Sequence, residues 1–177
     1  SQLEAAFCLK SIAEIYLRLA SFDKALDNSL KALTIYQIIG DELEISEVLG
    51  MIGQIYYLTG NYDKALEHFT TSFDIAKAIG NKKKTINGLN WIALIYDQHK
   101  NEPGKALELY IEALRVADST DLIESKAGIL MNLGKHYFSQ NDFNKERESY
   151  ETSLNIYEEL NNSKGIAGAL HAIAEIS

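Results

Sequence analysis

The groups able to do acid, base or metal chemistry in this sequence are scattered. His68, His99, His136 and His171 show neither an H-x-x-x-H nor a paired E-x-x-H spacing. The sequence has no G-x-x-x-x-G-K-S/T phosphate cradle and no G-x-S-x-G nucleophile turn. Its 25 Asp and Glu residues fall into a pattern expected of a solvated helical face. Another chemistry is better represented. The amides Gln54, Asn90 and Asn132 can each donate and accept hydrogen bonds. They are interleaved with Met51, Tyr57, Trp91, Leu94, Met131 and Phe138. An extended peptide presents alternating N–H and C=O groups, so such amides can hold its backbone while apolar side chains read its residues. The chemistry this implies is non-covalent recognition, and no enzymatic activity is expected.

These residues are positioned by a repeat. Leu9, Leu49, Leu89, Leu130 and Leu170 recur at steps of 40, 40, 41 and 40. Three residues on come Ile12, Ile52, Ile92, Leu133 and Ile173, then the small residues Ala13, Gly53, Ala93, Gly134 and Ala174. Tyr16, Tyr56, Tyr96 and Tyr137 follow, and after a turn Phe22, Tyr62, Pro103 and Phe143 precede Ala25, Ala65, Ala106 and Glu146. Apolar residues separated by 3, 4 and 7 positions share one helix face. Each copy therefore reads as two helices joined by a turn.

The spacing predicts helices over about 3–20, 42–59, 62–79, 83–100, 103–117, 122–139 and 143–160, a second helix between the Ser21-Phe22-Asp23 turn and Ile39, and a ninth from Ser163. Ser21, Asn61 and Asp142 are placed to cap second helices, and Pro103 suits a first helical position. Gly40, Gly80, Asp121 and Asn161 are suited to end helices in a left-handed conformation. Glu146 and Arg147 break the small-residue column. Because burying charge is costly, the fourth second helix is expected to start splayed or rotated outward, by drift or to contact another segment.

The columns resemble the tetratricopeptide repeat, whose signature pairs L-G-x-x-Y with A-x-x-x-F/Y-x-x-A. The period of about 40 resembles the long-helix branch, which includes kinesin light chains, cell-polarity adaptors and bacterial peptide-sensing regulators. The resemblance covers the whole chain, with repeats at about 3–40, 41–80, 81–120 and 121–160 and a half repeat at 161–177. It implies an all-α, right-handed superhelical solenoid of antiparallel helix pairs, about nine helices in one domain. It also implies a concave groove lined by the first helix of each repeat.

On that reading the groove residues are Lys10, Gln54, Tyr57, Asn90, Trp91, Met131, Asn132, Lys135, Phe138 and His171, with Glu14, Leu17, Arg18, Met51, Leu58, Leu94, Asp97 and Glu175 beside them. Asn132, within M-N-L-G, resembles the groove asparagine of peptide-binding members. The lysine, asparagine and arginine set of the two-carboxylate clamp is missing, which disfavours a chaperone C-terminal tail as ligand. The ligand-binding expectation is a protein or extended peptide. A regulatory or sensor module of a larger bacterial signalling enzyme is the alternative, and self-association through open solenoid ends is a further possibility.

Composition narrows the partners. A hydrophobic content of 46% fits a folded chain rather than a disordered one. The net charge of −8 disfavours nucleic acid. No run approaches the roughly 18 apolar residues of a membrane span, and no cofactor motif is present. The single cysteine, Cys8, points to a reducing, cytoplasmic compartment and is expected to be packed. Lys82, Lys83 and Lys84 read as a solvated run. The missing initial methionine, and the stop at Ser177 where the fifth copy should place its tyrosine, suggest a piece of a longer protein.

Overall fold

The computed structural model describes residues 1–176. Among them are nine helices: α1 (Gln2–Arg18), α2 (Phe22–Ile39), α3 (Glu42–Leu58), α4 (Tyr62–Ala78), α5 (Lys82–Gln98), α6 (Pro103–Asp118), α7 (Ile123–Ser139), α8 (Phe143–Glu159) and α9 (Ser163–Glu175). The predicted ends fall within one turn of these. Contacts divide the chain into two compact units, Ser1–Ile92 and Ala93–Ser177, with the division inside α5.

Left-handed residues terminate most of the helices. Gly40, Gly80 and Asn161 have φ of 79°, 71° and 52°, as the sequence suggests, and Ala20, Gly60, Asn101 and Asn141 do the same inside the repeats. Asp121 departs from the expectation and is not left-handed. There the Ser119 hydroxyl donates to the Val116 carbonyl and the Thr120 hydroxyl to the carbonyls of Val116 and Ala117. Side chains thus satisfy carbonyls that a left-handed residue's neighbours otherwise would. At the helix starts, Asn61 and Asp142 accept the N–H groups of Lys64 and Lys145 as expected. Ser21 does not cap with its side chain; its backbone carbonyl begins α2 by accepting from the Ala25 N–H at 3.0 Å.

Paired helices approach closely where the sequence supplies small residues 26 positions apart. Ser46 and Ser72 exchange hydroxyl-to-carbonyl hydrogen bonds at 3.1 and 2.7 Å, and Ser153 donates to the Ala127 carbonyl at 2.9 Å. Glycines take the next contact. A Cβ on Gly53 would sit 2.9 Å from the Phe69 ring, and one on Gly134 only 2.3 Å from Tyr150 Cε1. A lysine then covers each repeat tyrosine: Lys24 over Tyr16, Lys64 over Tyr56, Lys105 over Tyr96 and Lys145 over Tyr137, at 5.3, 5.2, 3.8 and 5.2 Å from the ring centre. Such cation–π contacts tie the second helix of a repeat to its first. The clue in the sequence is a lysine two places after the turn residue: Phe22/Lys24, Tyr62/Lys64, Pro103/Lys105 and Phe143/Lys145.

Two further expectations are overturned. Cys8 is exposed rather than packed. Helix α1 turns Ala6, Lys10 and Ala13 inward, and Cys8, two residues from Ala6, lies about 200° around the helix from it. Helix α8 is not splayed. Asp142 caps it, Ser149, Tyr150 and Ser153 are buried, and Glu146 is buried with them. Of the charged pair Glu146 and Arg147, Arg147 alone turns outward.

Candidate functional site

In the first unit the inner faces of α1, α3, α4 and the start of α5 enclose a cavity of about 220 Å³. Helix α3 lines it with Glu47, Gly50, Met51 and Gln54, and α5 with Lys84, Asn87, Gly88 and Trp91. The spacing of 3, 4 and 7 puts each set on one helix face. Equivalent lining positions on α3 and α5 differ by 37 residues, and so do Lys10 and Glu14 on α1 from Glu47 and Met51. The repeat period is 40, so facing residues are offset by one helical turn.

That offset builds a ladder of alternating charge. Lys10 Nζ donates to Glu44 and, at 2.8 Å, to Glu47, while Lys84 Nζ lies 2.5 Å from the other Glu47 oxygen. The Lys10 ammonium is buried. Burial alone would lower its pKa, but the hydrogen bonds to Glu44 and Glu47 and their charges hold it above the ordinary lysine value. Burial likewise works to raise Glu47, and Lys10 and Lys84 outweigh it and bring the carboxyl below its ordinary value. Lys84 therefore belongs to an ion-pair network rather than to a solvated run.

Beside the ladder lies an aromatic platform. Trp91 stacks on Phe69 at 5.0 Å with 6° between the planes, and Tyr57 meets Trp91 edge-on at 5.3 Å. Gly53 makes this possible, because any side chain there would displace the Phe69 ring. The column of small residues found in the sequence thus seats the rings that wall the cavity. Burial raises the Tyr57 phenol above its ordinary pKa.

Of the residues singled out from the sequence, Lys10, Glu14, Met51, Gln54 and Trp91 line this one cavity, and Tyr57 braces Trp91. Lys10 reaches the cavity with its charge already engaged. Asn90 is half-buried on α5. In the second unit Met131 lines a cavity of about 340 Å³ with Glu124, Tyr157 and Gly165. Phe138 lines another, with Phe143 and Glu175. Asn132 is half-buried, and Lys135 and His171 are exposed, with His171 3.5 Å from Glu175.

Asp97 is not a groove charge. Its side chain is buried in the second unit, 2.8 Å from His136 Nδ1, and Tyr110 and Tyr137 meet the His136 ring edge-on. Sequence spacing missed this pair, which lies 39 residues apart on facing helices. Among the described residues no group of three or more His, Cys, Asp or Glu could hold a metal ion. No described helix is long and apolar enough to cross a membrane.

The sequence profile of the tetratricopeptide repeat family matches residues 5–78 and 84–159. No curated protein matches the sequence significantly. Among solved structures the chain is similar to BtubC (BKLC) from P. vanneervenii, with a TM-score of 0.80 and 21% identity over 95% of this chain and 70% of that one. It is also similar to a Rap protein complexed with competence and sporulation factor (TM-score 0.84, 20% identity, 99% of this chain and 49% of that one). A third is PH0952 from Pyrococcus horikoshii, a signal transduction ATPase with numerous domains and a tetratricopeptide repeat sensor (TM-score 0.83, 21% identity, 98% and 27%). At these identities the likeness shows the fold, a tetratricopeptide-type solenoid. The chain spans half or less of the last two proteins.

Proposed function

The chain belongs to the tetratricopeptide repeat family, and from that premise we propose that it is a non-catalytic scaffold that binds a protein or an extended peptide on the faces of its first helices. The observation that carries this reading is the cavity of the first unit. It sets a rigid aromatic wall, Trp91 on Phe69, against an amide, Gln54, and a flexible thioether, Met51. Aromatic residues and methionine are enriched at protein interfaces, and a half-buried amide can pair with a peptide N–H and C=O together. Asn90 and Asn132 extend this role to α5 and α7. Met131, Lys135, Phe138 and His171 supply side-chain contacts on the second unit. The five repeat copies act as one binding module, and cofactors play no part in it.

The test is selection of random peptides on the chain, repeated on Gln54→Ala. Removing an amide that pairs with a buried backbone group costs about 1–3 kcal/mol, so the peptides recovered with the wild type should bind the variant at least about fivefold more weakly. Equal binding to the two would remove Gln54 and its cavity from the account.

A sensor role within a larger signalling enzyme is a second reading, supported by the likeness to PH0952, whose repeats are described as a sensor. Under that reading the same cavity receives the signal. Self-association is a further proposed mode, supported by the exposed Leu3, Phe7 and Ile15 of α1 and Leu19 at its C-terminal cap. Sedimentation at rising concentration tests it, and a monomer throughout would exclude it. Cytoplasmic placement is proposed from the single, unpaired cysteine.

A further inference from the structure

Helix α8 carries a carboxylate where three other copies of the repeat carry a methyl group. Ala25, Ala65 and Ala106 are fully buried, and Glu146, in the same column, is 2% exposed. Its Oε2 has no hydrogen-bond partner. Arg147 does not provide one, since its guanidinium turns to the solvent side, 4.0 Å from Glu151. An uncompensated buried carboxylate destabilises a fold. Sequences that break a local rule at such a position commonly do so at a functional site.

Glu146 is also a wall of a cavity. Within the second unit the C-terminal ends of α7 and α9 and the start of α8 border an open cavity of about 510 Å³, lined by Phe138, Phe143, Asn144, Glu146, Arg147, Glu175 and Ile176. The Phe138 and Phe143 rings lie 6.4 Å apart at 58°. Burial, then the nearby charges of Glu146 and Glu175, push the Tyr150 phenol up to about 12, so both carboxylates act on the same ring. Two carboxylates and one arginine leave the lining with a net negative charge, flanked by apolar rings.

A metal ion fits poorly, because hard cations require a fuller shell of oxygens than two carboxylates supply. Burial holds the Glu146 carboxyl above its ordinary pKa, Arg147 opposing, and a neutral guest would leave it without a counter-charge. A planar guanidinium suits the lining, since it can donate to a carboxylate in two parallel hydrogen bonds while its faces stack on aromatic rings. Its methylene stem would cover the phenylalanines. We propose that this cavity is a subsite for one arginine side chain of a bound peptide, with Glu146 as the counter-charge. The proposal rests on the peptide-binding reading and adds the residue the peptide must carry.

The test compares N-acetyl-arginine methylamide with N-acetyl-citrulline methylamide, which keeps the shape and removes the charge. Backbone amide shifts of Phe143, Asn144 and Arg147 are followed by NMR. In the wild type the arginine derivative should give saturable shifts at these residues, with the citrulline derivative at least about tenfold weaker. Glu146→Gln should bring arginine down to the citrulline level. Glu175→Gln, on the exposed wall, should weaken arginine by a smaller factor and serves if Glu146→Gln fails to fold. Equal binding of the two derivatives, or an arginine affinity indifferent to both substitutions, would overturn the proposal. Because the probe is a single amino-acid derivative, arginine binding here would stand even if library selection recovered no peptide, and the two failures remain distinguishable.

Discussion

One chemical change, glycine to alanine, should have opposite signs at two helical positions of the second unit. At Gly134 the new methyl would lie 2.3 Å from Tyr150 Cε1 and 2.6 Å from Cδ1. Carbon atoms pack at about 3.5–4.0 Å, so ring or helix must yield by roughly 1 Å. Tyr150 is 5% exposed and has little room to swing. Overpacking of this kind costs about 1–3 kcal/mol, against a gain of about 0.5–1 kcal/mol for replacing a helical glycine. The expected net loss is about 1–2 kcal/mol. At Gly168, in the middle of α9, an added Cβ meets nothing within 4 Å, and only the gain remains. Urea unfolding followed by helical circular dichroism should separate the two variants by about 2 kcal/mol. In a chain of this size that is a Tm difference of several degrees, at roughly 2–4 °C for each kcal/mol. If Gly134→Ala matched or exceeded Gly168→Ala in stability, the account of why small residues occupy this column would be wrong.

Other consequences can be checked separately. Gly53→Leu, which drives a larger side chain into Phe69, should destabilise the chain by about 1–3 kcal/mol and change the emission of Trp91 stacked behind that ring; unchanged emission would refute the link. Glu146→Ala should raise stability by about 1–3 kcal/mol, because it removes a buried acceptor without a partner, and an unfolding midpoint below wild type would contradict this. Glu47 has a lowered carboxyl pKa in the fold, so its contribution is present above the ordinary value of 4.5 and is lost as pH falls through the lower folded value. Glu47→Gln should flatten that acid limb of the stability profile, and an unaltered limb would exclude Glu47 as its source. Exposed Cys8 should react with a thiol reagent in the native state as fast as in urea, whereas strong native protection would contradict its position.

The columns Leu49, Ile52, Gly53 and Tyr56 were legible because helix periodicity and repeat period coincide there, and Gly53 and Gly134 of one column each meet an aromatic ring of the paired helix. Helix ends were legible at Gly40, Gly80 and Asn161, where residue type and backbone conformation agree. Asp121 misled, since hydroxyls of Ser119 and Thr120 supply a different termination that leaves no periodic trace. The site was less legible. Copies aligned at 40 residues put Lys10 in the same column as Gly50 but name no facing partner, and the structure supplies Glu44 and Glu47 on α3. A one-turn offset between neighbouring helices is a tertiary property that repeat arithmetic does not contain. Asp97 was taken for a surface charge because nothing local announces His136 as its partner. Glu146 was expected to push its helix outward; packing of Ser149, Tyr150 and Ser153 instead holds α8 in place and keeps the carboxylate buried.

Trp91 is the only tryptophan in the sequence and lines the cavity proposed to bind. The most direct measurement is therefore its fluorescence during titration with a library-selected peptide, with calorimetry on the same samples. The account predicts a saturable shift in Trp91 emission, protection from acrylamide quenching, a Kd equal to the calorimetric one, and weaker binding by Gln54→Ala. Calorimetric binding with Trp91 emission and quenching unchanged, and with Gln54→Ala binding as tightly as the wild type, would contradict it.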